Sequence, residues 1–227
     1  SSRSATRPES MYANSRVPTS AQTGIHERLA ELVDRHVREP FRKPILDYNR
    51  EAFTASMAAW GGKAPLILDA ACGTGASSVQ LAERHPHSFV IGVDQSEARL
   101  ETDKGKLPDN LCLIRADLVD YWRLLADAGV KLERHCLFYP NPWPKIGHVS
   151  RRWHGHPIFP VLPTLGGAIE CRSNWSIYVA EFAFALGRIL QREVGWEAFD
   201  AGEPVSPFER KYRDSGQPLY RCAVDLR

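Results

Sequence analysis

The chain has 227 residues, 43% hydrophobic and 25% charged, the balance of one globular domain and not of a disordered or fibrous protein. No apolar run approaches the ~18 residues needed to cross a bilayer, which excludes a transmembrane protein. The net charge of +2 neither demands nor excludes a nucleic-acid partner. Five scattered cysteines, none in a CxxC pair, argue against a disulfide scaffold or a thiolate zinc site and fit a reducing cytoplasm. The N-terminus shows no apolar signal-peptide core, and the opening Ser1-Ser2 makes Met11 a candidate start.

Residues 1–23 hold six serines, three threonines and two prolines with little to bury, and read as a flexible arm carrying Arg3, Arg7 and Arg16. Residues 24–227 read as one domain. Ile25, Leu29, Leu32, Val33 and Val37 recur at helical spacing, and a second helix is expected over 45–60, ended by Gly61-Gly62. Strands and helices then alternate. Leu66–Asp69 is a short buried strand, a glycine turn leads into a helix over 76–84, and Phe89–Asp94 is the second strand. Leu111–Ile114, His135–Tyr139 and Ala168–Cys171 follow as strands three to five, then a long helix over 174–192. Trp196–Phe199 and Tyr220–Leu226 close the chain as two strands without a full helix between them. The expected fold is α/β and Rossmann-like: a seven-stranded, mostly parallel sheet covered on both faces, with an antiparallel edge.

In such a sheet ligands bind beyond the carboxyl ends of the strands. The first of these ends carries Asp69-Ala-Ala-Cys-Gly-Thr-Gly75, where Gly73 and Gly75 let backbone approach a ligand and the next helix presents unpaired N–H groups. Asp94, one βα unit later, can accept hydrogen bonds from the ribose hydroxyls of an adenosine-containing cofactor. NAD and S-adenosylmethionine both satisfy this. Asp69, just before the turn, suits a cationic amino-acid moiety and would repel a pyrophosphate, and Asp117 at the end of the third strand suits an adenine amine; both favour S-adenosylmethionine. The pattern resembles class I S-adenosylmethionine-dependent methyltransferases, in which a glycine usually stands where Ala71 does. That resemblance implies cofactor contacts from Asp69, Ala71, Gly73, Gly75, Asp94, Gln95, Asp117 and Asn141.

The fourth strand ends Phe138-Tyr-Pro-Asn-Pro-Trp-Pro-Lys145, a stiff lip with three prolines, followed by Arg151-Arg152-Trp153. Together with Ser173-Asn174-Trp175 before Tyr178 and Glu181, and Ser206-Pro-Phe-Glu-Arg210 before Gly216-Gln-Pro-Leu-Tyr220, it resembles the bacterial tRNA (guanine-N7)-methyltransferase family. Asn141 and Asn174 stand where that family has aspartates. The resemblance implies transfer of a methyl group to guanine N7 in tRNA, with Asn141, Asn174 and Glu209 acting on the acceptor. Trp143, Lys145, Arg151, Arg152, Ser173, Asn174, Ser206 and Glu209 would contact substrate, and Arg210, Lys211 and Arg213 would add phosphate contacts. Trp153 and Trp175 are further candidates for stacking on a base. Asn141-Pro-Trp-Pro144 also resembles the [DN]PP[YF] motif of amino-methyltransferases. Two exchanges of an anion for an amide and a modest net charge keep open a small nitrogen heterocycle as acceptor, or a non-catalytic RNA- or cofactor-binding relative. A NAD-dependent dehydrogenase is disfavoured because no proton-transfer pair accompanies the turn. His154-x-His156 lacks further ligands at metal spacing, so no metal is expected.

Overall fold

The structure, a computed structural model, describes residues 16–227; the first 15 residues of the expected arm lie outside the described residues. Seven strands form one sheet: β1 (Leu66–Ala70), β2 (Phe89–Asp94), β3 (Leu111–Arg115), β4 (Arg134–Phe138), β5 (Ala168–Ser173), β6 (Glu197–Phe199) and β7 (Leu219–Asp225). Their order is β3-β2-β1-β4-β5-β7-β6. β1 to β5 run parallel, and β7 runs antiparallel between β5 and the edge strand β6. β1 is buried along its whole length because it lies between β2 and β4 with helices on both faces, which is why it reads as an apolar run. β5, nearer the edge, alternates buried and half-buried positions.

The helices are α1 (Leu29–Arg38), α2 (Asp47–Trp60), α3 (Ala76–Arg84), α4 (Glu97–Leu100), α5 (Leu118–Asp127), α6 (Val161–Thr164), α7 (Ser176–Leu190) and α8 (Pro207–Asp214). Two differ from expectation. α1 starts at Leu29 and not near Ile25, because the His26 N–H is drawn to the buried Glu181 carboxylate, 2.8 Å away, which bends the chain out of helix. The closing strands are separated by the eight-residue α8, contrary to the reading of no full helix there. Its start is strongly signalled: Ser206 caps it by accepting from the Glu209 N–H, and Pro207 occupies the first turn, where its missing N–H costs nothing. Its mean hydropathy is low and it buries little beyond Glu209 and Tyr212, so no apolar stripe marks it.

Between β4 and α6 the chain runs through two short 3-10 turns, Ile146–Arg151 and Trp153–Gly155. They are locked down by a buried ion pair. The Glu181 carboxylate on α7 takes the Arg152 guanidinium at 2.7 Å and the His154 Nε2–H at 2.8 Å, both residues being fully buried. Its other oxygen accepts from Gln22 Nε2 at 2.7 Å and the His26 N–H at 2.8 Å. Burial alone would raise Glu181, but His154, Arg152 and the His26 amide outweigh it and hold the carboxyl below its ordinary range. Burial lowers His154 below the ordinary histidine range, against the pull of Glu181.

β4 carries a second buried histidine. Trp122 of α5 donates its indole N–H to His135 Nε2 at 3.0 Å, and burial pushes His135 down to about 3. The unfolded chain therefore binds this proton first, near the ordinary histidine value of ~6.5. His135 should make stability decline as pH falls from 6.5 towards 3, by about 1.4 kcal/mol per pH unit. Urea unfolding of the wild type and His135→Gln between pH 4.5 and 7 checks this. The variant keeps an acceptor for Trp122 but should lose that part of the acid slope.

Candidate functional site

The strand order reverses between β1 and β4, which run side by side but send their following chain to opposite sides. This is the crevice where open α/β sheets bind ligands. The glycine turn rises from β1 on one side, and the proline lip from β4 on the other.

The turn is tied to its neighbours by backbone groups. The Cys72 N–H reaches Val93 O of β2 at 3.0 Å, and the Gly73 N–H donates to Asp94 Oδ2 at 2.9 Å. Asp94 Oδ1 accepts the Ser96 N–H at 2.8 Å, so the carboxylate links the turn to the start of α4 while each oxygen retains lone-pair capacity. Gly73 sits at φ +61 with open space where a Cβ would project, a cradle into which a ligand can approach the backbone. Gly75 at φ +85 is required for a different reason, since a Cβ there would come within 2.8 Å of Leu113 Cδ1. Ala71 is left-handed too, at φ +58, the conformation that a glycine adopts without strain.

The other expected cofactor residues are placed less uniformly. Asp69 is buried, 1% exposed, and its Oδ2 accepts the hydroxyls of Ser77 at 2.6 Å and Ser78 at 2.7 Å at the start of α3. Burial raises it to about 6 against the pull of those hydroxyls. Its Oδ2 thus ties the end of β1 to the start of α3. Asp117 caps α5 by accepting the Val119 N–H, and its own N–H is held by Asn49 Oδ1 of α2. Gln95 is exposed beside Asp94.

Beside the lip lies a cleft of about 340 Å³, lined by Tyr139, Asn141, Asn174, Phe208, Tyr212 and residues 16–19 among others. Asn141 Oδ1 accepts the Trp143 N–H at 3.3 Å, turning the lip. Tyr139 and Trp143 are both left-handed, at φ +53 and +45, so the lip carries backbone strain. Asn174 is 8% exposed and donates its amide to the Arg16 carbonyl at 3.2 Å. Trp143 packs edge-on against His148, with the Arg151 guanidinium 5.0 Å over its ring.

Several expected substrate residues are withdrawn from the cleft. Glu209 is fully buried: Oε1 accepts from the Tyr139 hydroxyl at 2.6 Å and Arg172 Nη1 at 2.8 Å, and Oε2 accepts the Val205 N–H. Three donors hold it and Oε2 keeps one lone pair, but with no exposure the side chain is turned into the protein by its reach back to Val205. Arg152 is likewise fully buried against Glu181, Gln22, the Trp143 carbonyl and the Lys145 carbonyl, so it cannot reach a phosphate. Ser173 is 2% exposed and its hydroxyl accepts the Trp175 N–H, while Ser206 is the α8 cap. Trp175 is buried beneath Arg152, and Trp153 packs on Trp122. Lys145, Arg151, Arg210 and Lys211 are exposed, and Arg213 pairs with Asp214 at 2.9 Å.

Sequence reasoning missed Arg172, which bridges Glu209 and Glu170 and lies over the rings of Phe138 and Phe199. Glu170-x-Arg172 on one strand face was a readable signal for an ion pair. It also missed Tyr139 as a cleft wall and Gln22 as a partner of Glu181; neither is marked by spacing.

A family described as "Putative methyltransferase" matches residues 63–222. The chain is similar to the tRNA (guanine-N(7)-)-methyltransferase of Mycobacterium avium (strain 104), 34% identical, with 78% of this chain and 72% of that protein covered. The protein of the same name from Nocardia farcinica is 36% identical, with 71% and 67% covered. The one from Treponema pallidum (strain Nichols) is 26% identical, and the chain spans 65% of its length. Among solved structures, an antibiotic-related methyltransferase superposes with a TM-score of 0.54 at 15% identity, covering 81% of this chain and 96% of that one. The 16S rRNA methyltransferase KamB gives 0.53 at 15% identity, covering 81% and 95%. These two likenesses are of fold.

The geometry makes Glu209 a structural residue. Glu209→Ala leaves the Tyr139 hydroxyl and Val205 N–H without their partner and should cost about 3 kcal/mol of stability, read from the midpoint of urea unfolding.

Proposed function

The chain belongs to the tRNA (guanine-N(7)-)-methyltransferase family, and on that premise we propose that it transfers the methyl group of S-adenosylmethionine to N7 of a guanine in tRNA. The observation that supports this reading is the sheet reversal: the turn of Gly73, bound to Asp94, follows β1, and the lip that presents Asn141 to the cleft follows the adjacent parallel strand β4. The open cradle at Gly73 and the lone pairs left on Asp94 fit the cofactor's backbone approach and ribose, with Ala71, Gly75, Gln95 and Asp117 around them. The Asp69 carboxylate at the end of β1 supplies negative charge beside the turn, which suits a cationic ligand.

When bound, S-adenosylmethionine supplies an electrophilic methyl on a sulfonium. Guanine N7 carries a free lone pair at neutral pH, so the chain's residues need only orient the base and exclude water; no general base is required. Direct transfer would leave a positive charge on the guanine ring, which the residues around the base would have to accommodate. Asn141 and Asn174 can orient the heterocycle, but as amides they offset less of that charge than aspartates would. Exposed Lys145 and Arg151 at the lip, with Arg210 and Lys211 on α8, supply cations for the phosphates that dominate RNA affinity. A cytoplasmic setting, where tRNA is found, goes with this reading.

A second reading, methyl transfer to a small nitrogen heterocycle, is favoured by the withdrawal of Glu209 and Arg152 and by the size of the cleft. Isotope-labelled S-adenosylmethionine and unmodified bulk tRNA, followed by nucleoside mass spectrometry, decide between them. Labelled 7-methylguanosine is the expected product. No labelled nucleoside, with cofactor binding retained, would transfer the assignment to a small acceptor. Asp94→Ala should weaken cofactor binding more than tenfold, about 1.4 kcal/mol, by isothermal titration; unchanged affinity in the folded variant would remove Asp94 from the site.

A further inference from the structure

The cleft has a wall that does not belong to the sheet. Residues 16–19 line it opposite Asn141 and Pro142, and two side-chain hydrogen bonds hold that stretch in place. Asn174 Nδ2 donates to the Arg16 carbonyl at 3.2 Å, and Ser20 Oγ donates to the Pro144 carbonyl of the lip at 2.6 Å. Arg16, Val17 and Thr19 are themselves exposed, so little apolar burial secures the stretch upstream of Gln22. Beyond it the chain is firmly docked, through Gln22 and His26, to the buried Glu181.

The amide at position 174 is what makes the first bond. A carboxylate there would place two acceptors against one another, since an ionised aspartate cannot donate. We infer that Asn174 is a positioning residue: it latches residues 16–19 as the fourth wall of the acceptor cleft, and that wall helps to hold the acceptor base. With the wall closed, the volume of about 340 Å³ lies at the small end of ligand pockets. That admits one flat heterocycle, which in a folded RNA must be turned out of its stack to enter. This inference rests on the acceptor reading above for the identity of what the wall holds, but not for the latch.

The latch is tested by timed trypsin digestion of the full chain, following appearance of the fragment that begins at Val17. Asn174→Asp should release it at least tenfold faster than the wild type, under conditions where the folded core resists cleavage. Equal rates would overturn the latch. The role in holding the acceptor is tested with Ser20→Ala, which loosens the same wall from outside the acceptor residues. With the acceptor that the wild type methylates, KM should rise at least threefold while kcat stays within twofold. An unchanged KM together with faster release of the Val17 fragment in Ser20→Ala would show a latched segment that holds no acceptor and would overturn the proposal. If the wild type transferred methyl to neither tRNA nor a free heterocycle, the acceptor reading would fall, whereas faster cleavage in Asn174→Asp would still establish the latch.

Discussion

One buried carboxylate organises the half of the molecule that surrounds the cleft. Glu181 sits on α7 with no exposure, and burying it unpaired would be prohibitive. Four donors converge on its two oxygens, from Gln22, the His26 amide, Arg152 and His154. They come from two stretches, one holding Gln22 and His26 and the other Arg152 and His154, that have no strand ladder of their own to hold them. Arg152 then spends its remaining N–H groups on the carbonyls of Trp143 and Lys145, so the lip inherits its position from α7 through a single guanidinium. The proline-rich lip has few donors for a backbone network, and the ion pair supplies the constraint that hydrogen-bonded strands supply elsewhere.

A second constraint is topological. Because β1 and β4 are neighbours while their connections diverge, the glycine turn and the lip face each other without any motif specifying the distance between them. Strain collects at the same place. Ala71, Tyr139 and Trp143 are all left-handed non-glycine residues, at about 1 kcal/mol or more each, and all lie at the carboxyl ends of β1 and β4. The surrounding hydrogen bonds, from Val93, Asp94, Arg172 and Asn141, over-determine these turns and hold them there.

The electrostatics of the cleft differ from what the acids in the sequence suggest. Glu209 is paired with Arg172, and Asp69 Oδ2 is held by two serines of α3. The cleft lining is amide, aromatic and proline, Asn141, Asn174, Tyr139 and Phe208 among it, together with the cation Arg16. Such a surface suits a flat heterocycle, with further cations on the lip and α8.

The alternating strands, the glycine turn and Asp94 as its partner were legible in the sequence, because buried parallel strands and strand-to-helix turns are governed by local pattern: apolar runs of fixed length, and glycine wherever φ must be positive. The lip and the four ordered motifs that mark the family were legible for the same reason, being contiguous. Local pattern therefore specified the sheet and the order of the motifs along the chain. Packing selected which of those residues line the cleft. Glu209, Arg152 and Asp69 carry charges that must be paired once buried, and their partners Arg172, Glu181, Ser77 and Ser78 are chosen by packing. An N-terminal stretch with nothing to bury became a wall because an amide 158 residues away in the chain lies within hydrogen-bond distance of its backbone. That proximity is a property of the folded sheet, and no spacing in the sequence encodes it.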